Sequence, residues 1–440
     1  MPTRFLILSI TLFTTWTSAS VPETLQQLCK SALQHHPKIR AAHHRTLAGE
    51  YAYQQAIDRY KPRLSIDANF GYDKYDYDYP EKKVVYEDTI TQYTVSLTQP
   101  IVRLVDWNRI DDAKLRKKAT AIQEEDEKAK LLTQIVQTVI ELSRLQEIQK
   151  LNQKKVEIFA QAYKTIKVKY KLHFSSNPEL LQAKQKWMQA KSDLAQINQY
   201  LQNRKHQLKL LTGLHTIPSK IYTKQFSILS NKELFNNTHY QALINTMKKS
   251  TQIKLYQTYL EIAQNDIKTR KYERYPTLDA KLSYGDTDST DSIQRTNESR
   301  AMLYLNFPFY QGGYVSDRVD EGMEMKEAAL ADLQNIRLSI QVSIEKDWED
   351  IQNGLETLQA QKVAHQAASA YFKTAVSSYK NGLGSLTDAY LAEADMHDAA
   401  IAIINTQAKI LTSLVDLYYY AGNISLPNIQ RFDSIFMRLK

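Results

Sequence analysis

Four short segments of the chain alternate between apolar and polar residues with a period of two. In the first of them, Leu64, Ile66, Ala68 and Phe70 are apolar or small, and the residues between them are polar. The pattern predicts four strands, at residues 63–73, 90–100, 277–286 and 299–308. Each is about ten residues long, which is enough for a tilted strand to cross a bilayer. Apolar side chains on one face and polar side chains on the other are typical of a membrane barrel with a wet lumen.

Two much longer stretches have apolar residues at spacings of three and four, which is typical of coiled-coil-like helices. No glycine occurs between Gly71 and Gly213, and no proline occurs from Phe309 to Leu426. The stretches predict helical hairpins over residues 105–213 and 314–422. A first helix of about 67 residues would be about 100 Å long at about 1.5 Å per residue. Helices of this length predict a rod or a tube.

The second half of the chain repeats the plan of the first. "YKPRLSIDANFG" at residues 60–71 aligns with "YPTLDAKLSYG" at residues 275–285, and Gly71 pairs with Gly285, 214 positions later. Pro100 pairs with Pro308 at an offset of 208, and Gly213 with Gly422 at an offset of 209. Three matches in order at a nearly constant offset predict an internal two-fold repeat. The predicted division is a first repeat at 21–213, a second repeat at 214–422 and a C-terminal tail at 423–440.

Polar sequences join the strands of each predicted pair. They read "YDKYDYDYPEKKVVYEDT" at residues 72–89 and "DTDSTDSIQRTNES" at residues 286–299. Clustered aspartates can bind calcium, but neither sequence has the ordered spacing of acids and glycine found in an EF-hand. Both are predicted to be solvated loops that face outside.

Four strands cannot close a membrane barrel by themselves. An open sheet edge in lipid would leave backbone hydrogen-bonding groups unsatisfied. Two chains would supply eight strands, whose interior the side chains fill, whereas three chains would supply twelve and leave room for a water-filled channel. The predicted fold is therefore α+β, with long helical hairpins that form a tunnel and four strands per chain in a shared 12-stranded trimeric barrel.

The N-terminus indicates export. Residues 1–20 contain one basic residue, an apolar run and then small residues, which is typical of a cleaved secretory signal.

The only cysteine is Cys29, so no intramolecular disulfide is expected. No later segment has about 18 consecutive apolar residues, so no transmembrane helix is predicted. The formal net charge of +9 could suit nucleic acid, but the signal sequence argues against such a partner.

The chain has no motif for catalysis or for a cofactor. No Ser-His-Asp, Cys-His or glycine-rich phosphate motif occurs, so we predict that the protein is not an enzyme and needs no cofactor. The histidine pairs at 35–36 and 43–44 lack acids or cysteines at ligand spacing, and a solvated helix face explains them better than a metal site.

Several motifs resemble the TolC-like outer-membrane factor family of efflux and type I secretion channels. They are "RYPTLDAKLSYG", "LNFPFYQGGYVSDRVDEG" and "YKNGLGSLTDAYLAEADMHDA". The second is the most specific, because Pro308 and the pair Gly312-Gly313 lead into a helix. Its first-half counterpart, "LTQPIVRLVDWNRIDDAK", lacks the two glycines. The resemblance extends over nearly the whole mature chain.

The resemblance implies a homotrimer in the outer membrane with a periplasmic tunnel. It further implies a periplasmic adaptor (membrane fusion) protein and an inner-membrane exporter of the ABC, RND or MFS type as partners. The family closes the tunnel at its periplasmic end, where acidic residues form a selectivity ring. The resemblance assigns this role to Asp388 and, 209 residues earlier, to Glu179. It assigns gate-associated aromatic positions to Tyr379 and Tyr170.

Two substitutions depart from the family pattern at this end. Gly384 replaces an arginine that helps to lock the closed state, and Leu391 replaces a second acid one helical turn after Asp388. Three copies of a carboxylate around one narrow axis would attract cations. The alternative is that Asp388 and Glu179 are ordinary solvated or helix-capping acids.

Two functions therefore compete. The first is an outer-membrane channel that exports drugs, type I secreted proteins or both. The second is a structural or adhesive periplasmic coiled-coil rod without a pore. The four alternating segments favour the channel, because a rod does not need them.

Overall fold

The computed structural model describes residues 25–214, 237–289 and 296–433. The predicted signal sequence lies outside these ranges, as does the end of the predicted C-terminal tail. The described part begins with two helices, α1 (Leu25–His35) and α2 (Pro37–Asp58). His36 separates them, and its ring Nδ1 accepts a hydrogen bond from the Lys38 amide at the start of α2. Proline is favourable at the first position of α2, because the first amides of a helix have no partner within it.

Four strands form one antiparallel sheet in the order β1-β2-β3-β4. They are β1 (Arg63–Tyr79), β2 (Lys82–Val102), β3 (Thr277–Ser289) and β4 (Thr296–Asn306). The first two belong to the first half and the last two to the second. The halves meet in the middle of the sheet, where β2 pairs with β3. In the described sheet, β1 and β4 each have a neighbouring strand on one side only.

The first hairpin is longer than the alternation predicts. The polar sequence at 72–89, expected to be a loop, continues both strands without a break in register up to the pair Tyr79 and Lys82. Only Pro80 and Glu81 form the turn. Tyrosine and valine favour strands, and they offset the poor strand propensity of the interspersed aspartates. The expected loop is therefore a two-stranded ribbon. In the second hairpin, residues 290–295 lie outside the described ranges.

The sheet has one apolar face that no other described part of the chain covers. Leu64, Ile66 and Phe70 on β1 are exposed, and so are Leu303 and Leu305 on β4. On the opposite face small polar residues meet, as where the Ser65 and Ser96 hydroxyls hydrogen-bond at 2.9 Å. The alternation of the sequence is therefore present in the sheet, with the apolar side turned outward.

Two long helical hairpins make up most of the chain. The first consists of α3 (Leu104–Lys171) and α4 (Asn177–Thr212), and the second of α7 (Tyr314–Lys380) and α8 (Leu386–Tyr420). At about 1.5 Å per residue, the 68 residues of α3 span about 100 Å. Both hairpins end at a left-handed glycine, Gly213 after α4 and Gly422 just beyond α8. By length and composition α8 could cross a membrane, but it packs along α7 and α3, and one such helix is weak evidence of a span.

The shorter helices pack where the hairpins meet. They are α5 (Asn237–Thr246), a 3-10 turn (Met247–Lys249), α6 (Thr251–Tyr272) and α9 (Leu426–Asp433). The largest apolar cluster of the described residues joins α1, α2, α3, α4, α7, α8 and α9, with Leu28, Ile135 and Ile410 at its fully buried centre. Cys29 is buried in the same cluster as a free thiol. This core joins the two halves of the chain.

The two halves leave the sheet in different ways. In the first half, α3 begins directly after Arg103, whose guanidinium donates two hydrogen bonds to the Asp279 carboxylate on β3, at 2.8 and 2.6 Å. In the second half, seven residues separate β4 from α7, and Gly312 and Gly313 both have positive φ, 59° and 88°. Glycine adopts this conformation without the steric cost that a Cβ would bring. The junction that lacks the glycines is thus held by an ion pair.

Candidate functional site

The tip of the first hairpin is built around a helix cap. His173 takes the left-handed conformation with φ 59°, which turns the chain after α3. Ser176 then caps α4: its hydroxyl accepts a hydrogen bond from the Glu179 amide, and the Glu179 carboxylate accepts one from the Ser176 amide at 3.1 Å. This reciprocal pair satisfies two amides that the first turn of a helix leaves without partners.

The Glu179 carboxylate is therefore held in place. It also accepts a hydrogen bond of 2.5 Å from the Ser175 hydroxyl. Hydrogen bonds from Ser175 and from the Ser176 backbone, with a smaller contribution from the charge of Lys169, hold the pKa of the Glu179 carboxyl below its ordinary value. The side chain is exposed and ionised, and it serves the helix cap.

The tip of the second hairpin has the same serine but a different acid. Gly382 takes the left-handed conformation after α7, with φ 74°, and the Ser385 hydroxyl accepts a hydrogen bond from the Asp388 amide at 3.0 Å. Asp388 is exposed. Its carboxylate makes no hydrogen bond or ion pair with any residue that the structure describes. The shorter aspartate side chain leaves its charge available to solvent and to ions.

The two tips lie next to each other. The Lys169 ammonium lies 5.6 Å from the centre of the Tyr379 ring, so a cation of the first tip rests over an aromatic ring of the second. Tyr170 is exposed and Tyr379 is half-buried, and both come just before the end of their long helix. The structure thus brings the first and second tips together within one chain, with both acids exposed nearby.

The two departures from the family pattern have a structural setting. Leu391 packs with Phe159, Trp187 and Ala394, where α8 meets the first hairpin. An acid in that position would be placed against apolar side chains. Gly384 lies in the turn, and a Cβ there would come within 3.2 Å of the Ser378 side chain. Neither position supplies a charge to the tip.

A second acidic group, which the sequence analysis missed, lies in the helical wall. Asp347 on α7 is only 8% exposed, and within the described ranges it has neither a hydrogen bond nor an ion pair. Asp416 on α8 is partly buried and accepts a hydrogen bond of 2.6 Å from the Gln137 amide on α3. Burial, reinforced by the charge of Asp416, raises the pKa of Asp347 to about 7. The sequence feature that could have revealed this site is an acidic residue within an apolar stripe of the helix, between Ile344 and Ile351.

The candidate histidines have ordinary local roles. His36 caps α2, the His35 ring contacts the Ser31 carbonyl at 2.9 Å, and His43 lies 3.5 Å from the Glu124 carboxylate. In the parts of the chain that the structure describes, no three His, Cys, Asp or Glu side chains form a group that could hold a metal ion.

The described sheet and hairpins define a subunit of a membrane barrel that continues into a helical tunnel. The sequence matches the outer membrane efflux protein family at residues 28–214 and again at 244–423, and the chain belongs to that family. The two matches divide the chain as the internal repeat predicts. The family resemblance and the α+β tunnel-and-barrel fold are both confirmed.

Solved structures share the fold of this chain. The chain is similar to the outer membrane protein VceC of Vibrio cholerae, with a TM-score of 0.74 and 17% identity over 90% of this chain and 96% of that one. It is similar to the outer membrane channel CmeC of Campylobacter jejuni, with a TM-score of 0.75 and 14% identity over 98% of both chains. The open state of MtrE from Neisseria gonorrhoeae gives a TM-score of 0.72 and 14% identity over 91% and 89%. No curated protein sequence matches the chain.

Membership of the family fixes the general role. Outer membrane efflux proteins are homotrimeric channels of the outer membrane with a periplasmic tunnel, and they work with adaptors and inner-membrane pumps. The members are channel proteins, not enzymes. The uncovered apolar face of this sheet is accordingly its lipid face, and the opposite face lines the lumen.

Proposed function

We propose that three copies of this chain form the outer-membrane exit of a tripartite export system that carries drugs, type I secreted proteins or both. The sheet carries this proposal. Its apolar face is exposed along both halves, and its two outer strands have partners on one side only. In lipid such edges must be paired, and three four-stranded sheets close a ring of twelve. A periplasmic rod without a pore would leave the face and both edges without a purpose.

Membership of the outer membrane efflux protein family supports the proposed partners. A passive conduit needs a pump in the inner membrane and a protein that connects the two. We propose a periplasmic adaptor (membrane fusion) protein and an exporter of the ABC, RND or MFS type. Loss of the gene should raise drug susceptibility if the cargo is small and amphiphilic. It should instead abolish secretion of a protein if the partner is a type I exporter.

We further propose that Asp388 forms the main cation ring at the periplasmic aperture. Its carboxylate is exposed and uncommitted near the joined tips, and three-fold symmetry would bring three copies around one axis. Glu179 would contribute less, because its carboxylate is held by Ser175 and Ser176. Tyr379 and Tyr170 would be the aromatic residues associated with the gate, since they end the long helices that carry the tips.

Single-channel conductance in planar bilayers tests both parts of the proposal. Purified trimers should conduct, and divalent or trivalent cations added on the periplasmic side should block them, because close carboxylates repel each other and a bound cation relieves the repulsion. Asp388→Asn should weaken the block about tenfold or more. Glu179→Gln should weaken it less, and Asp332→Asn, an exposed acid far from the tip on α7, should leave it unchanged.

The outcomes separate the aperture from the channel. An unchanged block in Asp388→Asn, together with normal conductance, would remove Asp388 from the aperture and leave the channel intact. Stable trimers in the outer membrane that never conduct would support the rod.

A further inference from the structure

The first hairpin extends past the rest of the described sheet. The described pairing of β2 with β3 reaches Ile90 and Ser289, and among the described strands β1 is the one that continues along β2 beyond this point, with residues 72–79 pairing with 82–89. We call this two-stranded segment the outer ribbon. Its eight residues per strand span about 27 Å at about 3.4 Å per residue. The ribbon therefore projects from the outer mouth of the barrel.

The polarity of the two faces reverses near the base of the ribbon, beyond Tyr72 and Asp73. Lower on β1, the lipid face carries Leu64, Ile66 and Phe70, and the lumen face carries Ser65, Asp67 and Asn69. The register of β1 on β2 has no bulge, so alternate residues stay on the same face throughout. In the ribbon, the face that continues the lipid face carries Lys74, Asp76 and Asp78. The face that continues the lumen face carries Asp73 at its base and then Tyr75, Tyr77 and Tyr79, and the Tyr75 hydroxyl donates a hydrogen bond to the Asp73 carboxylate at 3.2 Å.

The two faces of the ribbon suit different surroundings. On the charged face Lys74 pairs with Glu87 at 2.8 Å, and Lys83 with Asp78 at 3.5 Å, as expected of a surface in water. On the other face the three tyrosine rings stack in a row, with centroids 6.3 and 6.2 Å apart. They are 50%, 45% and 59% exposed in the single chain. A row of exposed aromatic rings on a thin ribbon is typical of an interaction surface.

In the proposed trimer, the ribbons of the other two chains can cover the tyrosine face of each ribbon. Twelve strands about 4.8 Å apart and tilted by about 40° enclose a barrel of about 12 Å radius. A ribbon of about 27 Å is long enough to lean across that distance. Three-fold symmetry places each tyrosine at the same height in all three ribbons, on the side continuous with the lumen. The charged faces then remain in water.

We propose that the tyrosine faces of the three outer ribbons pack against one another and form an aromatic constriction above the barrel. The partner of each ribbon is thus the same segment of two further copies of this chain. The inference rests on the proposed trimeric channel and adds a second narrow point at its outer end. Apolar constrictions impede ions by excluding water. Tyrosine suits such a place because its ring packs while its hydroxyl remains wet.

Crosslinking of neighbouring positions tests the geometry. Cys29 is the only native cysteine and is buried, so Cys29→Ser provides a background without reactive thiols. Tyr77→Cys is compared with Asp76→Cys, which lies next to it on the opposite face. The reagent is a short bifunctional maleimide, because packed rings hold the backbones further apart than a disulfide can bridge. We expect dimers and trimers on denaturing gels from Tyr77→Cys, and at least about tenfold less product from Asp76→Cys.

Native mass measurement of each variant is made first. If neither the wild type nor the Cys29→Ser background forms trimers, the proposed function fails. If trimers form and Tyr77→Cys is not crosslinked, or Asp76→Cys is crosslinked equally well, only the constriction is overturned. Tyrosines that serve a carbohydrate or another external ligand would give this second result.

Conductance gives an independent readout. Replacement of Tyr75, Tyr77 and Tyr79 by serine should raise the single-channel conductance about twofold or more, because the dry constriction is lost. Replacement of Lys74, Asp76 and Asp78 by serine should leave it within experimental scatter. Equal conductance in the two triple variants, both verified as trimers, would overturn the proposal.

Discussion

The two halves of the repeat build the same architecture with different local chemistry. At the sheet-to-helix junction, the first half uses an ion pair from Arg103 to Asp279, and the second uses two left-handed glycines. At the tips, the first half commits Glu179 to a capping box, whereas the second leaves the Asp388 carboxylate without a partner in the described chain. The carboxylate at the tip of the second half is therefore available to bind ions. The carboxylate at the tip of the first half is used in hydrogen bonds that hold the turn. Duplicated segments can share a backbone plan while only one of them carries the binding group.

The largest expected effect tests whether the halves are equivalent in the membrane. Leu97 and Leu282 face each other across the β2–β3 pair, one from each half. Arginine at either position should cost about 2–4 kcal/mol if the pair lies near the bilayer midplane. The measurement is the fraction of heat-resistant trimer in outer membranes. Thr98→Arg, on the lumen face, is the control and should insert normally. Normal insertion of both leucine variants would contradict the assigned lipid face.

The next prediction separates the two junctions. Arg103→Ala leaves the partly buried Asp279 carboxylate without its partner and should cost about 2 kcal/mol, less than a fully buried pair. Gly313→Ala forces a Cβ into the left-handed region and should cost about 1–2 kcal/mol. Trimer stability is measured by denaturant titration.

Changing the salt concentration sharpens this comparison. High salt should weaken the wild-type junction of the first half slightly and leave the cost of Gly313→Ala unchanged, because only the first junction depends on charge. Equal salt dependence of Arg103→Ala and Gly313→Ala, each relative to wild type, would mean that the ion pair does not hold the first junction.

The third prediction concerns pH. Asp347 and Thr138 occupy matching places in α7 and α3, 209 residues apart, and both are buried. The folded-state pKa of Asp347 is about 7, raised from an ordinary value of 3.8. Between these two values the folded chain holds a proton that the unfolded chain has lost, so stability falls as pH rises through this window and is constant above it. Asp347→Thr, which copies the first half, removes this dependence.

Thermal melting at pH 5 and pH 8 measures the effect. The stability of the wild type relative to Asp347→Thr should drop by about 3 kcal/mol between these pH values, since the folded-state pKa lies about two units above pH 5 and each unit corresponds to about 1.4 kcal/mol. Asp395→Asn, an exposed acid on α8, serves as the control and should give no relative change. A wild type that gains stability over Asp347→Thr as pH rises would contradict the raised pKa.

The smallest effect compares the two caps. Ser176→Ala and Ser385→Ala each remove a hydroxyl that accepts an amide hydrogen bond, and each should cost about 1 kcal/mol. Ser176→Ala keeps both donors to the Glu179 carboxylate, whereas Ser175→Ala removes one of them and should strengthen the contribution of Glu179 to the cation block. Ser385→Ala should leave the block by Asp388 nearly unchanged. If Ser385→Ala weakened the cation block more than Ser176→Ala did, the roles proposed for the two tips would be contradicted.

Periodicity made most of the fold predictable. Strand and helix spacing differ clearly, and elements of ten to seventy residues give each pattern many repeats. The outer ribbon was missed because alternating aspartate and tyrosine resembles a solvated loop, and its strands depend on pairing with each other. The Arg103–Asp279 pair joins residues 176 positions apart, so no local sequence pattern predicts it.

The candidate site was predictable in position but not in detail. The offset of 209 residues located both tips, yet the state of each carboxylate depends on the turn before it. The serine three residues before Glu179 was a readable signal of a capping box. Asp347 is different, since its surroundings come from three helices and appear only in the folded chain.

The meeting of β2 and β3 has a consequence for folding kinetics. Each long hairpin forms from contacts between residues close in sequence, and such contacts form quickly. The β2–β3 pair instead joins Ile90 to Ser289, across about two hundred residues that include the whole first hairpin. Closing so large a loop has a high entropic cost, so this pairing should come late. The sheet with its apolar face would then assemble only after the helices have aligned the two halves. Late assembly shortens the time during which open strand edges could lead to aggregation.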